Sequence, residues 1–263
     1  MTEVRIACIQ TDICLCQKEK NIEKAISMID NALSQGAEII VLPEVFSTGF
    51  CYDDMPGSAE YEGGPTLNLL SEFTKDKGCV IVSSIIEKRS SDKGDKYYNL
   101  GFCIDNGVIA GTYRKTHPFQ KEKQYFSPGD SILPIKLQSK ELTIGLQICY
   151  EVRFPEVSRK LSIMGSDMLV TVAEFPKPRS DLWQTLVRAR AIENQIPHIA
   201  CNRTGSDPDK SFFGSSMIVD ASGELVRKAE EEESILVYDI DTEKTSDVRK
   251  AITALDDRRP DMY

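Results

Sequence analysis

The sequence predicts an α/β fold made of mixed sheets with helices packed outside them. Two observations carry this: the chain opens with strand and helix patterns in alternation, and hairpin signals replace the crossovers after residue 90. VRIACIQ reads as a strand. Residues 18–35 then place Ile22, Ala25, Ile26, Ile29 and Leu33 on one helical stripe, and Gly36 follows as the residue that closes the helix. AEIIVLPE (37–44) is a continuous apolar run, as expected of a strand covered on both faces, and Pro43 marks its end. Residues 65–77 read as a helix stopped by Gly78, with CVIVSSIIEK as the next strand. YYNLGFCID and VIAGTYRK flank Asn106-Gly107, a two-residue hairpin signal. A polar loop over 116–130 leads to the strands SILPIKL and LTIGLQIC. A helix over 155–163 is followed by the strand SDMLVTVAE, the long helix DLWQTLVRARAIENQ and the strand IPHIAC. SFFGSSMIVD and ESILVYDI read as further strands joined across the turn Asp220–Gly223, before a terminal helix over 242–252. The chain has no linker, repeat or low-complexity stretch, and Glu230–Glu233 reads as a solvated turn. Residues 1–263 are therefore expected to form a single domain.

Bulk properties narrow the function. Hydrophobic residues make up 41% and charged residues 28%, which suits a soluble chain with a substantial core. A net charge of −9 argues against a nucleic-acid surface, which needs clustered Lys and Arg. MTEVRIACIQ carries Glu3 and Arg5 inside its short apolar stretch, so it does not read as a signal peptide. No apolar run approaches the roughly 20 residues that span a bilayer. The expected location is the cytoplasm, with no membrane and no nucleic-acid partner. Of eight cysteines, Cys8, Cys79 and Cys103 lie in strand-like apolar runs, where they act as small hydrophobes. Free thiols are expected throughout. Cys14-Leu-Cys16 has no second pair at zinc-site spacing and CxxC is absent, so no metal is expected.

Three segments end an apolar strand on a reactive residue: Glu44 in IIVLPE, Lys115 in IAGTYRK and Cys149 in IGLQIC. Strand ends on one rim of a sheet converge, and sites form there. Cys149 precedes a turn into a helix beginning near Pro155 and Glu156. A helix N-terminus and a neighbouring lysine would both favour the thiolate. A thiol nucleophile also needs a base and an oxyanion site. Only two histidines are present. His198 sits mid-strand and reads as a core residue; His117, two beyond Lys115, is the one imidazole candidate. Glu44 is the carboxylate alternative, or else a rim residue in a structural ion pair.

PEVFSTGF, YRKTHPF and ICYEVRFPE, in that order, resemble the Glu–Lys–Cys signature of the nitrilase superfamily of carbon–nitrogen hydrolases. The likeness runs over nearly the whole chain, through WQTLVRARAIENQ and SSMIVDASGELV to DDRRPDMY. It implies a four-layer αββα sandwich and a cysteine amidohydrolase needing no cofactor. Glu44 would be the base, Lys115 the oxyanion donor and Cys149 the nucleophile. Glu122 matches a further family glutamate that positions the lysine, and the Tyr150 N–H would be the other oxyanion donor. His117 then supports the site from behind.

ICYEVRFPEVSR and VAEFPKPRSDLWQTLVRARAIENQ most resemble the omega-amidase branch, which hydrolyses the terminal amide of 2-oxo acids such as 2-oxoglutaramate. A substrate carboxylate calls for an arginine clamp, and Arg153 and Arg179 are the candidates. Phe46, Phe175 and Trp183 are expected as pocket walls, while Arg188 and Arg190 read as structural. N-carbamoyl amine or β-ureido amidohydrolysis is the alternative chemistry; a non-catalytic binding member and a redox sensor are the readings from other classes. Tyr150 in place of the usual Trp weighs against nitriles. The resemblance also implies a homodimer, or a higher homo-oligomer, through the helix near 180–194 and the helix after the nucleophile.

Overall fold

Alternation along each strand decides the architecture of this protein, whose computed structural model describes residues 3–92 and 94–262. The first sheet takes β1 (Glu3–Gln10), then, after α1 (Lys18–Ser34), β2 (Ile39–Val41). A 3-10 turn (Tyr52–Asp54), α2 (Met55–Ser58) and α3 (Pro65–Thr74) lead into β3 (Val80–Ser91), β4 (Gly94–Asp105) and β5 (Val108–Arg114). In β1, β2 and β3 one set of side chains (Val4, Ile6, Cys8, Ile39, Val41, Val80, Val82) faces the second sheet. The alternate set (Ala7, Ile9, Ile40, Ile81) faces Ala25 and Ile29 of α1 and Leu67 and Leu70 of α3.

The second sheet repeats the scheme. It contains β6 (Ile135–Leu137), β7 (Leu142–Ile148), β8 (Met168–Ala173) and β9 (His198–Asn202), with α4 (Pro155–Ile163) and α5 (Ser180–Asn194) as the crossovers. Met168, Val170 and Val172 face the first sheet. Leu169 faces Val157 and Leu161 of α4. Beyond β9 come a two-stranded hairpin, β10 (Thr204–Asp207) and β11 (Lys210–Phe213), then β12 (Met217–Val219) and β13 (Leu225–Lys228). The chain finally crosses back as β14 (Ser234–Asp241) and α6 (Lys244–Ala251). The strand orders are β14-β1-β2-β3-β4-β5 and β13-β12-β9-β8-β7-β6. In each sheet three central strands are parallel and the flanking ones antiparallel. The fold is the expected αββα sandwich of mixed sheets.

Several expectations are corrected. The turn Asp220–Gly223 joins β12 to β13, whereas ESILVYDI is β14 and pairs with β1 in the other sheet. An alternating apolar pattern cannot say which sheet a strand enters. The Glu230–Glu233 run is the exposed turn expected, and its backbone is anchored as well: Gln10 Nε2 donates to the carbonyls of Glu230 (2.6 Å) and Glu232 (2.7 Å). Cys16 and Cys51 form a disulfide, so free thiols throughout is wrong. The two loops that carry them meet through the Cys16 N–H on Thr48 O (2.8 Å) and through Asn21 Nδ2, which donates to Cys14 O and Ser47 O. No helix among the described residues is long and apolar enough to cross a membrane.

Candidate active site

Glu44, Lys115, Glu122 and Cys149 meet at one rim, between the two sheets. Each arrives there for a local reason. Pro43 ends the run that contains β2, and Val45 takes φ +41°, a conformation β-branched residues rarely adopt, with its N–H held by Ser84 Oγ at 2.8 Å. That turn drives Glu44 inward to complete burial. Lys115 directly follows β5; its N–H donates to Asn99 O and its carbonyl accepts from the Gly129 N–H, both at 2.9 Å. Gly129 is required there, since a Cβ would lie 2.1 Å from Arg114 O. Cys149 follows β7 with φ +48° and opens a 3-10 turn, Cys149–Arg153. Such strain persists only where surroundings fix it. Here Glu151 does the fixing: its carboxylate accepts from Ile148 N (2.8 Å), Tyr113 OH (2.6 Å), Thr116 N (2.8 Å) and Thr116 Oγ1 (2.6 Å). Burial opposes that charge, and His117, 3.6 Å away, together with these donors holds its pKa below the ordinary range. Glu151 thereby locks the nucleophile turn onto the segment carrying Lys115.

Lys115 Nζ donates to Glu44 Oε1 at 2.7 Å and to Glu122 Oε2 at 2.8 Å. Asn99 Nδ2 also donates to Glu44 Oε1 (2.7 Å), and the Glu174 N–H to Glu44 Oε2 (2.9 Å). Glu44 is therefore fixed from three sides. Burial alone would strip the proton from Lys115, but Glu122, Glu44 and Cys149 outweigh it and hold its pKa well above normal. Burial pushes Glu122 up to about 7, against the pull of Lys115. Cys149 departs from expectation. Burial and the Glu44 carboxylate, which hydrogen-bonds the thiol, push its pKa well above normal, and Lys115 only partly offsets them. The turn after it is 3-10, and α4 begins only at Pro155. The resting group is a thiol rather than a thiolate.

A cavity of about 300 Å³ opens onto Cys149 and Glu122. Tyr150, Arg153, Phe175 and Arg179 line it as expected. The Arg153 guanidinium lies 5.8 Å from the Phe175 ring centre and that of Arg179 lies 5.6 Å from the Phe119 centre. Among the described residues neither has a carboxylate partner. Phe46 and Trp183 are not walls. Phe46 is buried under α1 and α3, edge-on to Phe102 at 6.4 Å, and Phe50 lines the cavity instead. Trp183 is wholly buried, donating from Nε1 to Ser215 O (2.9 Å) and backing Phe175 at 5.2 Å. His117 stacks on Phe154 at 4.0 Å and bonds Thr116 Oγ1, outside the cavity lining. His198 is a core histidine: Nδ1–H donates to Val187 O (2.9 Å) and burial lowers its pKa to about 4. Arg190 donates to Val152 O (2.9 Å) and pairs with Glu193, a structural role.

Comparison with known proteins decides the family: the carbon–nitrogen hydrolase family model matches residues 5–250. The chain belongs to the carbon–nitrogen hydrolases. It is 38% identical over 261 residues to a 2-oxoglutaramate amidase of Bacillus subtilis, covering 98% of both chains. It is 31% identical over 275 residues to a human omega-amidase, covering 100% of this chain and 98% of the other. Among solved structures it resembles a Saccharomyces cerevisiae member of branch 10 of the nitrilase superfamily, with TM-score 0.89 and 25% identity over 98% of this chain and 97% of that one. This hydrolase is accordingly a cysteine amidohydrolase acting on carbon–nitrogen bonds. Asn99, Glu151, Glu174, Phe50 and Tyr52 join its site without having been singled out from the sequence. Glu174 offered a signal, because VTVAE ends a strand on a carboxylate just as IIVLPE does.

Proposed function

We propose that this hydrolase cleaves the terminal amide of a short 2-oxo acid such as 2-oxoglutaramate, releasing the acid and ammonia. The carrying observation is the pair of guanidiniums, Arg153 and Arg179, without carboxylate partners at a cavity that also holds Cys149. Arg is the best bidentate partner of a carboxylate. The printed names of the relatives, 2-oxoglutaramate amidase and omega-amidase, support the same substrate class.

In the proposed mechanism Cys149 Sγ attacks the amide carbon as its proton passes to Glu44. Lys115 and the Tyr150 N–H, in the first turn of the 3-10 segment, hold the oxyanion; one such donor is worth roughly 3 kcal/mol. Glu122 keeps Lys115 in place. Glu44 returns the proton to nitrogen, the C–N bond breaks, and ammonia leaves a thioester. Water then attacks, giving its proton to Glu44. The C–S bond breaks, and Glu44 reprotonates the sulfur. No organic cofactor or metal takes part in this scheme.

An anchored far carboxylate turns binding energy into orientation. We expect 2-oxoglutaramate to outrun a neutral amide of equal length by about tenfold in kcat/KM, or roughly 1.4 kcal/mol. Arg153→Leu or Arg179→Leu should erase that preference while a neutral ester is still hydrolysed. Asp53 and Asp209 at the same cavity favour the second reading, a carbamoyl amine with a cationic tail. An ammonia-release assay across both classes decides, and faster turnover of the cationic carbamoyl amine would sink the clamp.

The rest of the reading is a one-domain cytoplasmic enzyme that acts on a small molecule and works as a homodimer. Ile163 and Met164 at the end of α4, and Leu182 and Ile192 on α5, are apolar side chains each 43–50% exposed on the outer helices. Light scattering at micromolar concentration should give at least twice the 29.4 kDa chain mass; a monomer would refute the dimer.

A further inference from the structure

The Tyr52 hydroxyl makes no hydrogen bond to any described residue, and Tyr52 lines the cavity onto which Cys149 opens. Tyr52 opens the 3-10 turn eight residues after Glu44, and its ring is hemmed in by aromatic neighbours. Phe50 lies at 5.8 Å, Tyr125 at 4.5 Å and Phe126 at 6.5 Å between ring centres, with Lys121 Nζ 4.6 Å from the Tyr52 centre. The neighbouring Cys51 is tied to Cys16 by the disulfide, which closes the loop running from Glu44 to Tyr52. The ring is thus held before any ligand arrives. Its hydroxyl is not sealed off among the buried unpartnered atoms, so it is open to a ligand in the cavity. Burial and the carboxylates facing it (Glu122, Glu44 and Glu174) raise its pKa against the opposing pull of Lys115, so it is a neutral phenol. Phe50, which stacks on Tyr52, lies 5.8 Å from Lys115 Nζ, and Tyr52 shares the cavity lining with Glu122 and Cys149, which places it toward the amide end.

A primary carboxamide brings two N–H donors to this place. Glu44 Oε1 already accepts from Lys115 and Asn99, and Oε2 from the Glu174 N–H, so Glu44 has little capacity for both. We infer that the Tyr52 hydroxyl contacts the substrate directly, its oxygen accepting the second N–H of the scissile carboxamide, and so favours an –NH₂ over an –OR leaving group. The inference rests on the reaction proposed above. A phenol oxygen has a lone pair for that N–H and can rotate its own proton aside, whereas a carboxylate there would crowd a further acid against Glu44, Glu122 and Glu174.

Tyr52→Phe removes the oxygen and keeps the ring packing. The test compares kcat/KM of the full-length protein on an omega-carboxamide and on the omega-methyl ester of the same acid. The carboxamide value should fall roughly tenfold in the variant, with the ester changing less than twofold. Thermal unfolding should be unaltered. An equal loss on both compounds, or no loss on the carboxamide, overturns the assignment. If the unmodified protein hydrolyses neither compound, it is the underlying reaction that fails, and the two failures are told apart.

Discussion

Cys149→Ala should reduce ammonia release to background while the protein stays folded. The side chain is small and 6% exposed at the edge of the core, and alanine removes a single sulfur atom from it. Alanine tolerates φ +48° no worse than cysteine, so the turn is not strained further. Glu44 keeps Lys115, Asn99 and the Glu174 N–H when the thiol goes, so no buried charge is stranded. Stability should move by under about 2 kcal/mol, within the ordinary range for single substitutions. Turnover has no such reserve, because the thioester cannot form. Cys149→Ser should be almost as inactive, since a hydroxyl is far harder to ionise than a thiol. Ammonia release and circular dichroism on the same samples read both quantities. Turnover surviving in the alanine variant would remove the nucleophile from the scheme.

What the sequence discloses follows from how local each signal is. Pro155 and Glu156 announce α4, and its limits are as read, because the start signals of a helix lie within one turn. Asn106 and Gly107 take φ +47° and +89°, the turn their types predict. Glu44, Lys115 and Cys149 stand out because each terminates an apolar run. The same rule extended to VTVAE would have picked out Glu174. Other features have no local trace. Cys16 and Cys51 are 35 residues apart, and only the fold brings their loops together. Phe46 and Phe50 are both aromatic in one loop, and nothing short of the backbone path tells which faces the cavity. Asn99 lies mid-strand in YYNLGF; a lone amide in a buried run was the available hint, but its partner, Glu44, is 55 residues away.

Glu44→Gln and His117→Asn separate the two candidate bases. We expect the glutamine variant to lose about 10²–10⁴-fold in turnover, the usual contribution of a positioned acid–base group, and the asparagine variant less than tenfold. Glutamine fits the space, but whichever way its amide is turned, an NH₂ meets a donor: Lys115 and Asn99 on one side, the Glu174 N–H on the other. That misfit costs about 1–3 kcal/mol of stability, so lost turnover alone would not prove a chemical role. The thiol supplies the control. In the native site burial is the largest influence raising the Cys149 pKa and the Glu44 carboxylate the next, while Lys115 lowers it. Removing the carboxylate leaves Lys115 acting with less opposition, because Glu122 still holds it. The pH midpoint for alkylation of Cys149 by iodoacetamide should therefore fall in Glu44→Gln even as turnover collapses. General damage to the site would not make the thiol more acidic while making the enzyme slower. His117, stacked on Phe154 and bonded to Thr116, reaches the nucleophile only through Glu151, so its loss should leave that midpoint nearly fixed. The opposite ranking, with His117→Asn the deeper loss, would restore a cysteine–histidine pair as the working machinery.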